Sequence, residues 1–429
     1  GRQAGVMRIL LVGATGFIGR HLLTSLTQAV HQLVATSRQV VKRPLPGVEW
    51  QRLDLRELVD EPTSFTWPPA IDLLINAAGE LSSDVAGMCR LQTAGTCALF
   101  DLASQHGARV LQISALGAGT QADVPFLASK ARADDYLLQL GQSSVALRPS
   151  LVLGPGGTSS AWLQRLSPWP VIPLLNNRAQ LQPLHVDDLC SAVLALLRNW
   201  PVQSSVLPLV GPQAMTQGQL LDQLRHAQGW PAARYWVLPA AVSRLGAALG
   251  ERMGWAALNP QTLCLAQRDN LANADALAST CGFRCAPLSS RLHDWPQAAQ
   301  SCAMALQPLV LAVLLLIWLG TALVCLGPGF EWGLRIMAEA GITGWPGKLA
   351  VISGALLDAA LGFGLLLRRW RQPILRAQIG LMLAYSLIIS LWLPHYWFDP
   401  YMAVGKNFAV LLLSLWLLWL SPSPDKRHG

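Results

Sequence analysis

Along the N-terminal part of the chain, short apolar runs alternate with stretches of helical spacing. MRILLVGATGFIGRHLLTSL begins with the run Ile9 to Val12, passes through a glycine turn and continues in a helical pattern. HQLVATSR repeats the strand pattern, as do IDLLINAAG (71–79), ARVLQISALGAG (108–119) and VALRPSLVLGPG (145–156). Between the IDLLINAAG and ARVLQISALGAG runs, residues 85–106 carry helical spacing. Apolar strands in regular alternation with helices predict a parallel sheet covered on both faces. Small residues collect where the runs end, which is where such sheets bind ligands.

From about residue 157 to 300 the pattern loosens, with many prolines and tryptophans and short helices. LHVDDLCSAVLALLRN (184–199) predicts a helix, with Asp187 and Asp188 suited to its first turn. This stretch reads as a substrate-side lobe of the same domain.

After residue 305 the chain changes solvent. LVLAVLLLIWLGTALVCLG (309–327) carries no charge and is long enough to cross a bilayer. Further spans are predicted at 349–367, 374–393 and 403–420. Asp358 lies inside the second of them, where an ionisable group is costly alone, and Lys406 on the fourth is its natural partner if the second and fourth spans touch. The stretch RRWRQPILR between the second and third spans, with Arg368, Arg369, Arg371 and Arg376, favours the cytoplasm, as does the basic end DKRHG. The expected topology is multi-pass in a bacterial-type inner (cytoplasmic) membrane, with the N-terminal domain and the C-terminus both cytoplasmic. The expected domains are a dinucleotide-binding core at 7–156, the lobe at 157–304 and a four-helix transmembrane bundle at 305–421.

Composition agrees with a chain of two solvents: 429 residues, 52% hydrophobic and 13% charged. The net charge of +8 is scattered rather than blocked, which argues against a nucleic-acid arm. The 8 cysteines form no CxxC pair and no zinc-finger spacing, so no metal site is expected. GRQAGV has no apolar signal core, and Met7 reads as the natural start.

The glycine turn carries the first chemistry. GATGFIG places Gly13, Thr15, Gly16, Phe17, Ile18 and Gly19 between strand and helix. The first glycine permits the turn, the second admits a pyrophosphate, and the third lets helix pack on strand. Helix N–H groups and the helix dipole favour the phosphate charge. An NAD site usually offers a carboxylate about 20 residues further on. Here the second strand ends in Arg38, with Lys42 and Arg43 following, so NADP (NADPH) is expected rather than NAD.

Together with Asp54 and Leu55 in RLDLRE, Ala77, Ala78 and Gly79 in NAAG, Ser114 in ISALGAG, Lys130 and Pro149 in LRPSLVLGPG, this turn resembles the extended or atypical short-chain dehydrogenase/reductase superfamily. The match covers about residues 7–300. It implies a doubly wound α/β Rossmann fold in which the Asp54 position approaches the adenine and the AAG segment lines the cofactor cleft. It also implies that Ser114 and Lys130 belong to the active site, that Lys130 holds the nicotinamide ribose, and that Pro149 lies beside the nicotinamide. ISALGA is similar to the branch that includes an accessory subunit of mitochondrial complex I. The tail, through WFDPYMAVGKNF (397–408), resembles the DoxX-like four-helix membrane family.

One position breaks the pattern. Active members of the superfamily carry a proton-donating tyrosine where this chain has Phe126. Tyr136 lies off the expected face and reads as packing, and Asp123 is an alternative proton source in the preceding loop. The leading expectation is a membrane-anchored NADP(H)-binding oxidoreductase acting on a lipophilic acceptor such as a quinone, isoprenoid or lipid carbonyl. The alternative is a non-catalytic NADP(H)-binding accessory or redox-sensing subunit with a membrane protein partner, in a form that allows an oligomer. A nucleotide-sugar epimerase or dehydratase would also need the tyrosine.

Overall fold

The computed structural model describes residues 5–39, 41, 44–79, 84–121, 123–253 and 258–421. The chain divides into two compact units, residues 1–302 and 303–428.

In the first unit the strands are β1 (Arg8–Val12), β2 (Gln32–Ser37), β3 (Glu49–Arg52), β4 (Leu73–Asn76), β5 (Arg109–Ile113), β6 (Ser144–Pro149), β7 (Val152–Leu153), β8 (Val171–Leu174), β9 (Gln180–Leu181), β10 (Leu184–His185), β11 (Ser205–Leu209), β12 (Met215–Thr216) and β13 (Arg234–Val237). Seven of them form one sheet in the order β11-β6-β5-β4-β1-β2-β3, and every pairing in it is parallel. The order reverses between β1 and β4, so the crevice beyond their carboxyl ends is the topological switch point where doubly wound sheets bind ligands.

Helices α1 (Phe17–Gln28), α2 (Leu55–Asp60), α3 (Val85–Cys89), α4 (Thr96–Gln105) and α5 (Pro125–Gln139) occupy the crossovers. Alternation along the strands builds one core on each sheet face. Ile9, Leu11, Leu73, Ile75, Leu111 and Val145 pack with Leu22 and Leu26 of α1. Leu10, Val12, Leu74 and Val110 pack with Leu99 of α4 and Leu137 of α5. Each fully buried leucine contributes about 1.5–3 kcal/mol of transfer free energy. Between α3 and α4, residues Arg90–Gly95 form a π-helical stretch. Gly95 lies there because a Cβ would meet the Leu55 carbonyl oxygen at 2.4 Å.

The remaining helices of this unit are α6 (Thr158–Leu166), α7 (Val186–Arg198), α8 (Gln217–Ala227), α9 (Ala240–Met253), α10 (Pro260–Ala266) and α11 (Ala276–Cys281). Not all of the chain beyond residue 156 is lobe: β11 completes the core sheet beside β6, and α7 contributes Leu189, Val193 and Leu196 to the core on the α1 face. A third core, with Leu163, Ile172, Leu174, Leu220, Leu224 and Trp295, holds the lobe itself.

The second unit is helical. Here α12 (Ala298–Leu326), α14 (Trp345–Gly364), α15 (Arg371–Trp392) and α16 (Ala403–Leu420) coincide with the four segments long and apolar enough to span a membrane. The amphipathic α13 (Phe330–Glu339) follows the first span and was not anticipated. Asp358 is buried in this unit, but Lys406 is exposed, and among the described residues the two form no ion pair. The expected Asp358–Lys406 partnership is therefore corrected. A lysine in the first turn of a helix keeps its ammonium at the polar end, whereas Asp358 sits in the middle of α14.

Candidate functional site

The turn after β1 is built by close approach. Gly13 has a φ of 77°, and a Cβ there would lie 2.6 Å from the Ala78 amide nitrogen. At Gly19 a Cβ would meet the Gly13 carbonyl oxygen at 1.9 Å, so both positions need glycine for packing. Gly16 differs: its φ of −72° suits any residue, and the nearest atom to an added Cβ is 3.5 Å away. Gly16 stands at the N-terminus of α1, where no side chain caps the helix. Thr15 and Gly16 are exposed there, while Phe17 and Ile18 are half-buried. Those free N–H groups, with a cradle a side chain would fill, fit a pyrophosphate.

Several of the expected cofactor residues lie at the carboxyl ends of neighbouring parallel strands. The Ala77 amide donates to the Val12 carbonyl at 2.9 Å, and the Ala78 amide donates to Asn76 Oδ1 at 3.2 Å. A Cβ on Gly79 would lie 3.1 Å from Lys130 Nζ, so the lysine reaches the end of β4 from α5. Pro149 is buried at the end of β6. At the other side, Arg38 is exposed just beyond β2, and Asp54 stands just beyond the neighbouring β3. Asp54 caps α2 by accepting from the Arg56 amide at 3.0 Å, which orients the start of α2 at Leu55. Arg43 lies outside the described residues.

Lys130 is buried. Its Nζ donates to the Ile113 carbonyl at 3.5 Å and stands 5.7 Å from the centre of the Phe126 ring. Burial lowers its pKa from the ordinary lysine range, and the nearby Asp134 carboxylate works in the opposite direction. The ring that the ammonium faces is the side chain standing where the superfamily has its tyrosine. The start of α5 is held by Gln261 of α10, whose Oε1 accepts from the Phe126 amide at 3.0 Å.

Ser114 is engaged inside the fold. Its hydroxyl donates a 2.6 Å hydrogen bond to Asp134 Oδ2, an oxygen that also accepts from Arg148 Nε at 3.1 Å. All of Asp134 and nearly all of Ser114 are buried, so the serine proton is committed to an internal carboxylate. Desolvation raises the Asp134 pKa, opposed by Ser114, Arg148 and Lys130. The two other proton sources are also committed. Asp123 forms a bidentate pair with Arg268 at 2.8 and 2.5 Å, which holds its carboxyl below the usual range. Tyr136 donates to Asp101 on α4, and that bond pushes its pKa up to about 12.

Asp134 and Arg148 were missed from the sequence. Two signals were present: Asp134 follows Lys130 by four residues and so shares its helix face, and Arg148 is a charge inside a strand buried on both sides. Among the described residues, no group of His, Cys, Asp and Glu side chains is arranged to hold a metal.

The fold is that of an NAD(P)-binding Rossmann domain of the epimerase/dehydratase type, followed by a helical region with four membrane-length helices. Residues 9–205 match the NAD dependent epimerase/dehydratase family, and residues 315–415 match the DoxX-like family. A ceramide reductase of Caulobacter vibrioides is 28% identical over 232 residues, 52% of this chain and 70% of that protein. The alpha subcomplex subunit 9 of mitochondrial NADH dehydrogenase from Dictyostelium discoideum is 25% identical over 224 residues, 49% of this chain and 61% of that one. The Bordetella bronchiseptica enzyme WbmH, in complex with NAD+, superposes with a TM-score of 0.52 at 15% identity, covering 67% of this chain and 96% of its own, and shows the shared fold.

Proposed function

We propose that this protein is a membrane-anchored reductase that uses NADPH to reduce a carbonyl or quinone on a lipophilic molecule. The observation that carries the reading is the buried Lys130 ammonium beside Gly79, in the segment after β4 that also packs against Gly13, in a chain with four membrane-length helices. The Gly16 cradle and the N-terminus of α1 would hold the pyrophosphate, Asp54 the adenine side, Arg38 the 2′-phosphate, and Lys130 the nicotinamide ribose. When bound, NADPH supplies a hydride.

For a lipid ketone the balance is one hydride to the carbonyl carbon and one proton to its oxygen, giving the alcohol and NADP+. Phe126 has no proton to give, and Ser114, Asp123 and Tyr136 are engaged elsewhere. Water therefore supplies the proton. Lys130 favours negative charge developing on the acceptor oxygen through its field. The resemblance to a protein named ceramide reductase supports an acyl-lipid carbonyl as the acceptor. The arginines at 368, 369, 371 and 376 support a cytoplasmic placement of the first unit.

NADPH deuterated at the nicotinamide C4, incubated with membrane-embedded protein and a long-chain keto-lipid, tests this chemistry. Deuterium on the carbinol carbon of the product supports it, and deuterium in no lipid contradicts it. A second reading, an NADP(H)-binding subunit without turnover, is favoured by Phe126 and by the likeness to the NADH dehydrogenase subunit.

A further inference from the structure

We infer that α9 lies on the lipid surface and docks the first unit, by its lobe, onto an anionic bilayer. The helix is inside out. Its inward residues are small: Ser243, Ala247 and Gly250 are buried. Its large apolar side chains point away, with Val242 50%, Leu245 72%, Leu249 49% and Met253 60% exposed. At 100° per residue these four fall within an arc of about 80°. A water-facing helix normally turns such a stripe to the core. The membrane-length α12 shows the same outward presentation at Leu316 and Leu323.

The neighbouring backbone extends the pattern. In the parallel β8–β13 pair, Val171 lies beside Arg234 and Pro173 beside Trp236, and all four residues are exposed. β13 leads directly into α9. The exposed charges along this segment are Arg234, Arg244 and Arg252 against Glu251. Apolar side chains, a tryptophan and an excess of arginine are what an interfacial helix offers to anionic lipid. The four membrane-length helices in the same chain keep this lobe near a bilayer at all times, so even a modest surface affinity orders it.

Docking here serves the site. A Cβ on Gly246 of α9 would lie 3.3 Å from Leu258, just before α10, and Gln261 of α10 holds the Phe126 amide. A lipid-facing α9 is thus one helix removed from Phe126 and Lys130. The docking itself does not depend on whether that site turns over.

The test is collisional accessibility of single spin labels on the full chain in nanodiscs containing phosphatidylglycerol, with the native cysteines replaced. Labels are placed at Leu245 and Leu249, with fully exposed Val202 as the aqueous reference. Docking predicts that labels at 245 and 249 collide severalfold more with oxygen, and severalfold less with a water-soluble nickel complex, than the label at 202. Replacing phosphatidylglycerol by phosphatidylcholine should raise nickel collisions at both positions. In the L245E/L249E variant a label at Val242 should become accessible to nickel with the thermal unfolding midpoint unchanged, because both leucines are already exposed. Nickel accessibility equal to that at 202 overturns the proposal. So does exclusion of both reagents: with spin–spin broadening that disappears on dilution by unlabelled protein it places a second copy on this face, and without broadening it places other protein there.

Discussion

Arg148 holds Asp134 from the neighbouring strand, with Nε and Nη2 each 3.1 Å from Oδ2 of a carboxylate that is wholly buried. Removing one partner of such a pair strands the other charge. Arg148→Met should therefore cost about 3–5 kcal/mol, and adding Asp134→Asn should recover most of the loss. Thermal unfolding of the two variants checks this. Ser114→Ala should cost only about 1 kcal/mol and leave the maximal turnover rate within a factor of about two, since its hydroxyl serves Asp134.

Gly16 and Gly19 should separate binding from folding. In Gly16→Val the added Cβ would lie 3.5 Å from the Gly13 carbonyl oxygen, an ordinary contact, so the variant should fold while losing NADPH by at least about 100-fold, because its side chain occupies the pyrophosphate position. Gly19→Val drives a Cβ to 1.9 Å from the Gly13 carbonyl and should fail to accumulate. Cofactor titration and yield together decide both. A Gly16→Val variant that binds normally would remove the pyrophosphate assignment.

Arg38 carries the choice of dinucleotide. It is exposed beside the start of α2, and Asp54 is occupied by its cap. Arg38→Asp should weaken NADPH by roughly 10- to 100-fold, the worth of one charge-assisted hydrogen bond, and leave NADH unchanged or improved. Equal effects on both nucleotides would place the 2′-phosphate elsewhere.

Lys130 should give the cofactor-free protein a distinctive pH dependence. Its folded pKa lies below the ordinary value of 10.5, so the unfolded chain binds more protons in the window between the two. Stability contributed by this group therefore rises with pH across that window and is lowest where the buried ammonium is fully charged. Lys130→Met should flatten the rise and stabilise the empty protein by about 1–3 kcal/mol at neutral pH. Urea unfolding at several pH values measures it.

Asp123 should be silent. The Arg268 guanidinium keeps its carboxyl below the usual range, so it is ionised throughout the neutral range and has no proton to give. Asp123→Asn should leave the pH profile of NADPH oxidation unchanged, and a shifted profile would restore it as the proton source.

The glycine turn and the apolar central strands were legible because both depend on residues adjacent in sequence. Strand β3, EWQR, was not, since an edge strand half open to water has no apolar run to announce it. Strand β11 was hidden by Pro208, which is tolerated because β11 is the other edge of the sheet. At the site, Lys130 was legible from its motif, while the commitment of Ser114 to Asp134 depends on packing across the sheet. The exposed stripe on α9 illustrates the same limit. VSRLGAALGERM spells an amphipathic helix, and only the fold shows that its small residues face inward.

The central claim is that Lys130 works in a live reductase. NADPH binding and NADPH consumption should be measured in the same nanodisc samples, for the natural chain and Lys130→Ala, with a panel of long-chain keto-lipids and quinones. The account predicts consumption that depends on an acceptor and is lost in Lys130→Ala. Tight NADPH binding by both proteins, with no consumption for any acceptor, would contradict it and leave a nucleotide-binding membrane subunit.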